Sequence, residues 1–523
     1  MLPAPGPNPE ETPLPSLLRS LTTVGGNTLA SRILGFVRDL VLARVFGADA
    51  GTDAFFVAFK IPNFMRRLFA EGAFSLAFVP VLSEYKERRP DALKRFVDDV
   101  AGSLASATLG VTALGMAAAP GVVLLFAPGF SGAPEQFHLA ADMLRITFPY
   151  LFLIALTAFA GGILNAHDRF GVPAFTPVLL NVCLIAAALW LAPRMERPIT
   201  ALAWGVLIAG LAQLSLQLPF LGRIGLLPRP RWGWGDPGVR RILRLMGPSL
   251  LGVSVGQINL LLDTLIASFL AAGSISWLYY SDRLMEFPLG ILGVALGTVI
   301  LPGLSRRHAR ADAEAFSHTL DWALRWVLLL GLPAALGLVL LAGPMMATLF
   351  YSHSFDAHDT AMATRSLQAY ALGLTGFMAV KVLAPGFYAR QDTRTPVRIA
   401  VVAMGVNMLG NLILMWPLGH AGLALATSLS ASVNALLLWR ALRRAGVYRP
   451  ASGWPSLTLR TLTACLGMGL LLYFGSGHLD HWLAQSGIAR VGRLLGLILA
   501  GGATYFALLT ALGIRPRHFM GKA

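Results

Sequence analysis

Between Ser31 and Glu84 the chain reads SRILGFVRDLVLARVFGADAGTDAFFVAFKIPNFMRRLFAEGAFSLAFVPVLSE, two long apolar runs that nevertheless carry Arg32, Arg38, Asp39, Arg44, Asp53, Lys60, Arg66, Arg67 and Glu71. A charged side chain at mid-bilayer costs about 3 kcal/mol even on a lenient scale, so a group of them cannot face lipid together. They must line something wet. Asp53, Lys60, Asn63, Arg67 and Glu71 recur at helical intervals and share one face, as do Arg32 and Asp39. Pro62 interrupts the second run and re-aims the residues beyond it, Arg66 included. Guanidinium groups stay charged in any surroundings and grip phosphate oxygens two at a time, so this is chemistry for an anion. For Arg44 and Lys60, near the ends of apolar runs, the competing reading is a side chain that reaches out to the membrane interface.

The theme recurs in WLYYSDRLMEFPLG, where Asp282, Arg283 and Glu286 precede Pro288. Arginines from both regions make a site for a di-anion, with Asp39, Asp53 and Glu286 holding them and limiting net charge when it is empty. Lys381, in AVKVLAPGF, is expected as a further buried cation, or as a lysine reaching the nearer interface. A second set is neutral or acidic: Asp263, Asn407 and Asn411 spaced i, i+4, and Thr427. Such oxygens suit a hard cation such as Na⁺, and the competing reading is hydrogen bonding between membrane helices. Catalytic chemistry finds no support. The histidines are scattered without metal-ligand spacing, and no phosphate-binding P-loop is present, so the chain is read as a non-enzymatic protein that does not power itself with nucleotide.

The elements that must position these groups are set by composition. The 523 residues are 55% hydrophobic and only 13% charged, with mean hydropathy +0.65, which defines an all-α polytopic membrane protein of about 14 spans. A net charge of +16 would suggest nucleic acid in a soluble protein. Here it is accounted for by loops such as KERRPDALKR, SRRHARAD and RALRRAGVYR, which alternate with AAGS, YSHSFDAHD and PLGHA. By the positive-inside rule both termini are cytoplasmic, with PRMERP, holding Arg194 and Arg197, the one dissenting outer loop. Cys183 and Cys465 both lie in apolar spans, which argues against a disulfide or metal framework.

Asp39-Leu-Val-Leu-Ala43 matches Asp263-Thr-Leu-Ile-Ala267, Pro80-Val-Leu-Ser83 matches Pro302-Gly-Leu-Ser305, and Ala166 and Pro173 match Ala389 and Pro396. The common shift of about 220 residues, six spans, predicts two parallel six-helix lobes. The expected organisation is a disordered tail over 1–15, an N-lobe over 16–222, a C-lobe over 239–446, and two appended spans over 456–515. The lobes would enclose a central cavity with alternating access.

The run from Ser31 to Glu84, with WLYYSDRLMEFPLGILGVALGTVILPGLS and KVLAPGFYARQDTRTP, closely resembles the MurJ/MviN family of bacterial lipid II flippases, within the multidrug/oligosaccharidyl-lipid/polysaccharide exporter superfamily. The likeness covers nearly the whole chain beyond residue 15. It implies an inner-membrane protein that moves lipid II, the undecaprenyl-pyrophosphate-linked peptidoglycan precursor, from the cytoplasmic to the periplasmic leaflet. The cavity would take the pyrophosphate head group, and a groove involving the last two spans the polyprenyl tail. The family's functional arginines fall on Arg32, Arg38, Arg66 and Arg283, with Asp39, Asp53, Asn63 and Glu286 as supporting positions. The face projection favours Arg67, the resemblance Arg66. The family's sodium positions fall on Asp263, Asn407 and Thr427, while Asn411 stands where an acidic residue is expected. Two alternatives stay open: export of another lipid-linked oligosaccharide, and a non-transporting scaffold that recruits cell-wall synthesis enzymes.

Overall fold

The computed structural model describes residues 14–67 and 74–514, and every regular element among them is helical. In chain order the helices are α1 (Leu14–Phe46), α2 (Ala50–Arg66), α3 (Phe74–Arg88), α4 (Pro90–Ala117), α5 (Ala119–Phe126), α6 (Pro134–Thr147) and α7 (Pro149–Ala166). Then come α8 (Gly171–Ala186), α9 (Thr200–Arg223), α10 (Pro237–Ala267), α11 (Ser274–Pro288), α12 (Val294–Ala309), α13 (Ala313–Trp326) and α14 (Leu332–Leu349). The last are α15 (Ala357–Ala371), α16 (Leu374–Tyr388), α17 (Arg394–Leu418), α18 (His420–Arg444), α19 (Trp454–Ser476), α20 (Leu479–Leu483) and α21 (Gly487–Ala511). Of the tail expected over 1–15, residues 1–13 lie outside the described residues and Leu14 and Pro15 already belong to α1. Glu71 lies outside them too.

Nine stretches among the described residues are long and apolar enough to cross a membrane, ten if α15 and α16, bent by 40°, form one span. The chain is therefore an all-helical polytopic membrane protein. Among the described residues, no stretch in the expected first, second, seventh or eighth span passes that test, and these regions hold many of the charges: α1, α2 with α3, α10, and α11 with α12. Local chemistry sets the ends. Proline opens α4, α6 and α7, where its missing N–H is not needed. Asp312 and Asp356 cap α13 and α15 by accepting from Ala315 N and Asp359 N, each at 2.9 Å. Beyond Pro288 the chain makes a π-helical turn, Leu289–Gly293, before α12, so the helix absorbs this proline with an inserted residue.

Packing divides the chain into two compact units. One comprises the residues up to Val41, with 58–119 and 141–253. Its core is aromatic: Phe78 lies 5.1 Å from both Phe74 and Phe159, and Tyr85 stacks on Phe96 at 4.1 Å. Residues 226–236 form a strap on α4, where Asp98 accepts from Arg229 N (2.7 Å) and Arg231 N (3.1 Å). Gly102 permits this approach, since a Cβ there would overlap Arg231 O.

The other unit comprises 42–57, 120–140 and 254–523. Within it α19, α20 and α21 cover α14, with Trp482 and Tyr505 fully buried in their apolar core. Tyr505 Oη donates to Leu329 O at 2.6 Å. The link from α18 to α19 is clamped by Asp321, which accepts from Tyr448 Oη (2.9 Å), Trp454 Nε1 (2.7 Å) and Arg325 Nε (2.7 Å). Burial, and then the Asp321 carboxylate, push the Tyr448 phenol above its usual range.

Candidate functional site

In the first unit Arg38 and Asp39 are buried in α1, at 8% and 1% exposure. Asp39 Oδ1 accepts from Arg38 Nε (2.9 Å) and Nη2 (2.7 Å), and Asn181 Oδ1 of α8 accepts from Arg38 Nη1 (3.0 Å). A carboxylate oxygen that accepts from both donors of one guanidinium edge makes a charge-assisted contact, and burial of the pair requires it. Arg32, earlier on α1, is exposed. At the end of α2, half-buried Arg66 donates from Nε to Asn63 Oδ1 at 3.0 Å, so these two expected residues meet. Arg67 is half-buried beside it.

In the second unit Arg283 donates from Nη1 to Glu286 Oε2 (2.8 Å) and from Nη2 to Tyr279 Oη (3.4 Å), and lies 5.0 Å over the Tyr279 ring. Tyr279 in turn stacks on Phe56 at 4.1 Å. The guanidinium is thus held by an aromatic face and an exposed carboxylate. Asp53, expected to hold an arginine, makes a different set of contacts. Its carboxylate, 2% exposed, accepts from Gly273 N (2.7 Å), Ser276 N (2.8 Å) and Ser276 Oγ (2.6 Å). It caps the N-terminus of α11, the helix that carries Arg283, satisfying amides that would otherwise be orphaned. Lys381, expected as a buried cation or as a lysine reaching the nearer interface, is exposed on α16. Its backbone is the covered part: Lys381 O would lie 3.1 Å from a Cβ at Gly297 of α12.

Asp263, Asn407, Asn411 and Thr427 do come together, joined by Asn259. Asn411 Nδ2 donates to Asp263 Oδ1 at 2.7 Å, and Asn259 Nδ2 lies 3.5 Å from Asp263 Oδ2. The Asn407 amide is best satisfied with Nδ2 turned to Asp263 Oδ1 (2.9 Å) and Asn259 Oδ1 (3.1 Å), and Oδ1 to Thr427 Oγ1 (3.1 Å). Turned over, it presents Oδ1 to this cluster instead. Asn411 Oδ1 is buried with no hydrogen-bond partner. An orphaned oxygen, a reversible amide and a single carboxylate suit a monovalent hard cation, which one negative charge would neutralise.

Asn181, Tyr279 and Asn259 were not singled out by sequence reasoning. Asn259 stands four residues before Asp263, the same spacing that marked Asn407 and Asn411, and Asn181 is a lone amide in the apolar run LLNVCLIA. Both signals were available. Tyr279 carried none, being one of many aromatic residues.

Fold and site together define a polytopic helical membrane protein whose less apolar helices carry guanidinium groups. A family model described as "Lipid II flippase MurJ" matches residues 42–491. The chain is 48% identical to a protein named "Probable lipid II flippase MurJ" of Vibrio cholerae, across 95% of this chain and 97% of that one. It is 44% identical to "Lipid II flippase MurJ" of Burkholderia cenocepacia, across 97% and 100%. Among solved structures, MurJ in an inward closed conformation matches with TM-score 0.78 at 27% identity, covering 93% of this chain and 97% of that one. An inward-facing multidrug transporter of the MATE family shares the fold alone, with TM-score 0.60 at 15% identity and coverage of 80% and 95%. The chain belongs to the MurJ family.

Proposed function

We propose that this protein is a transporter that flips lipid II across the cell inner membrane by alternating access, delivering it from the cytoplasmic to the periplasmic leaflet for cell-wall synthesis. The observation that carries the reading is Arg38, buried in a membrane helix and braced by Asp39 and Asn181, in a chain whose full-length relatives are named as lipid II flippases. A pyrophosphate brings two adjacent charged groups, and Arg32, Arg38, Arg66 and Arg283 supply planar donors for its oxygens. Asp39 and Glu286 keep two of these arginines ordered and offset their charge. In this reading the chain has about 14 spans with both termini cytoplasmic, α19 and α21 border the groove for the polyprenyl tail, and the ligands of transport are the lipid and the membrane. Na⁺ is the coupling ion proposed for Asp263, Asn407, Asn411, Thr427 and Asn259. Bound there, it would couple transport to the Na⁺ gradient across the membrane, to which the membrane potential adds about 2.3 kcal/mol per charge per 100 mV.

The test is lipid II exposure at the outer leaflet of cells depleted of the protein, scored by an externally added enzyme that cuts the pyrophosphate link. The expected result is loss of cleavable lipid II with precursor accumulating inside. Undiminished exposure, in cells with no second flippase, overturns the reading and leaves export of a different lipid or a scaffold for cell-wall enzymes.

A further inference from the structure

The head-group role proposed for Arg38 raises the question of what sets that guanidinium, and the answer rests on that role. Asn181 is 5% exposed and uses both ends of its amide: Oδ1 accepts from Arg38 Nη1 at 3.0 Å, and Nδ2 donates to Ser31 O at 3.1 Å. The second bond decides which end of the amide faces Arg38. Asp39 holds the opposite edge of the same guanidinium, so its plane is fixed from two sides. α8 is also tied to α1 by Asn27 Nδ2, which donates to Gly171 O at 3.0 Å. The Asn181 amide packs on Gly35, where a Cβ would stand 3.6 Å from Nδ2.

The two acceptors differ in charge. Asp39 offsets the guanidinium, whereas Asn181 binds it without adding a negative charge that would repel an anion. The same pair of residue types recurs in the second unit, where Asp263 and Asn407 stand at about the 220-residue repeat shift from Asp39 and Asn181. There the residue before the aspartate is Leu262 and not arginine. That set suits a cation from solution; the first carries its cation on the chain.

We propose that Asn181 is a positioning residue for head-group binding: a neutral amide on α8 that orients Arg38 for the pyrophosphate, acting through Arg38 and making no contact with the lipid itself.

A double-mutant cycle on the full-length purified protein tests this, with lipid II binding and thermal unfolding as the two readouts. Asn181→Leu, close in size, is expected to weaken binding about tenfold, the scale of a hydrogen bond to a charged group, and Arg38→Ala at least as far. The double variant should bind no worse than Arg38→Ala alone, because Asn181 has nothing left to orient. Asn181→Asp keeps the size and the acceptor toward Arg38 but loses the donor to Ser31 O and adds a charge beside Asp39; it should bind weakly even at a temperature where its unfolding curve shows it still folded. Additive losses in the double variant would show that Asn181 supports the fold only, and overturn the inference. So would unchanged binding in Asn181→Asp, or in Asn181→Leu while Arg38→Ala is impaired. Unchanged binding in Arg38→Ala is the distinguishable case, since it removes the head-group role of Arg38 and this inference with it.

Discussion

Arg283 and Arg38 are both candidates for the pyrophosphate, yet they are braced by different means. Glu286 is about half exposed, and an ion pair of that kind contributes about 0–1 kcal/mol; the Tyr279 ring beneath the guanidinium is the more specific contact. Arg283→Ala is therefore expected to abolish growth in cells that depend on this protein while its level in the membrane is unchanged, and Arg283→Lys should rescue only in part, because an ammonium cannot use the fork or stack as well. Glu286→Gln should grow. Normal growth of Arg283→Ala, with membrane levels confirmed by immunoblot, would remove Arg283 from the site. The cation set makes a separate demand on one residue. Replacing K⁺ by Na⁺ at constant ionic strength should raise the unfolding temperature of the parent by mass action, and Asp263→Asn should abolish that rise. An equal rise in the variant would dissociate any sodium effect from Asp263.

At the scale of elements, the helix that presents Arg283 begins where Asp53 meets Gly273 N and Ser276 N. Asp53→Ala would leave those buried amides without an acceptor, at a cost of about 1–3 kcal/mol, whereas Asp53→Asn keeps an acceptor and should lose less. Unfolding of the purified variants should therefore rank parent, Asp53→Asn, Asp53→Ala in falling temperature; indistinguishable curves would mean that the cap contributes nothing. This contact shows where sequence reasoning stops. That Asp53 had to be satisfied was legible from its place in an apolar run, but its partners stand far along the chain, and no local spacing names them. Likewise Pro288 foretold a break but not a π-helical turn after it, because how a helix absorbs a proline depends on what packs around it. Of the Asp263 cluster, spacing made only the shared face of Asn407 and Asn411 legible; that Asp263 and Thr427 join them came from the resemblance, because they stand on other helices. For Lys381 the sequence left two readings open, because an apolar run fixes membrane depth without fixing which face is covered; its exposure on α16 does not fit the buried one.

At the scale of the whole molecule, the apparent exceptions to the charge rule share one structural account. On the side that the rule places outside, Arg44 donates to Leu349 O at 3.0 Å, Arg490 to Ala347 O at 2.6 Å, and Arg493 to Gly475 O at 3.0 Å. Arg194 of the dissenting loop donates to Trp190 O. Each acceptor lies at or near the end of a helical stretch, where carbonyls lack a partner and the dipole favours a cation. These arginines have structural work at helix ends, so they weigh little against the basic loops on the other side. The orientation can be tested with single cysteines, the native Cys183 and Cys465 lying within spans. Ser354→Cys, in the loop before α15, should react with a membrane-impermeant maleimide in cells whose inner membrane is intact. Glu314→Cys, on the first turn of α13, should react only once that membrane is opened, because α13 continues through Val327–Gly331 into α14, which ends just before Ser354. The opposite pattern would invert the topology, and with it the direction in which the braced arginines first meet their anion.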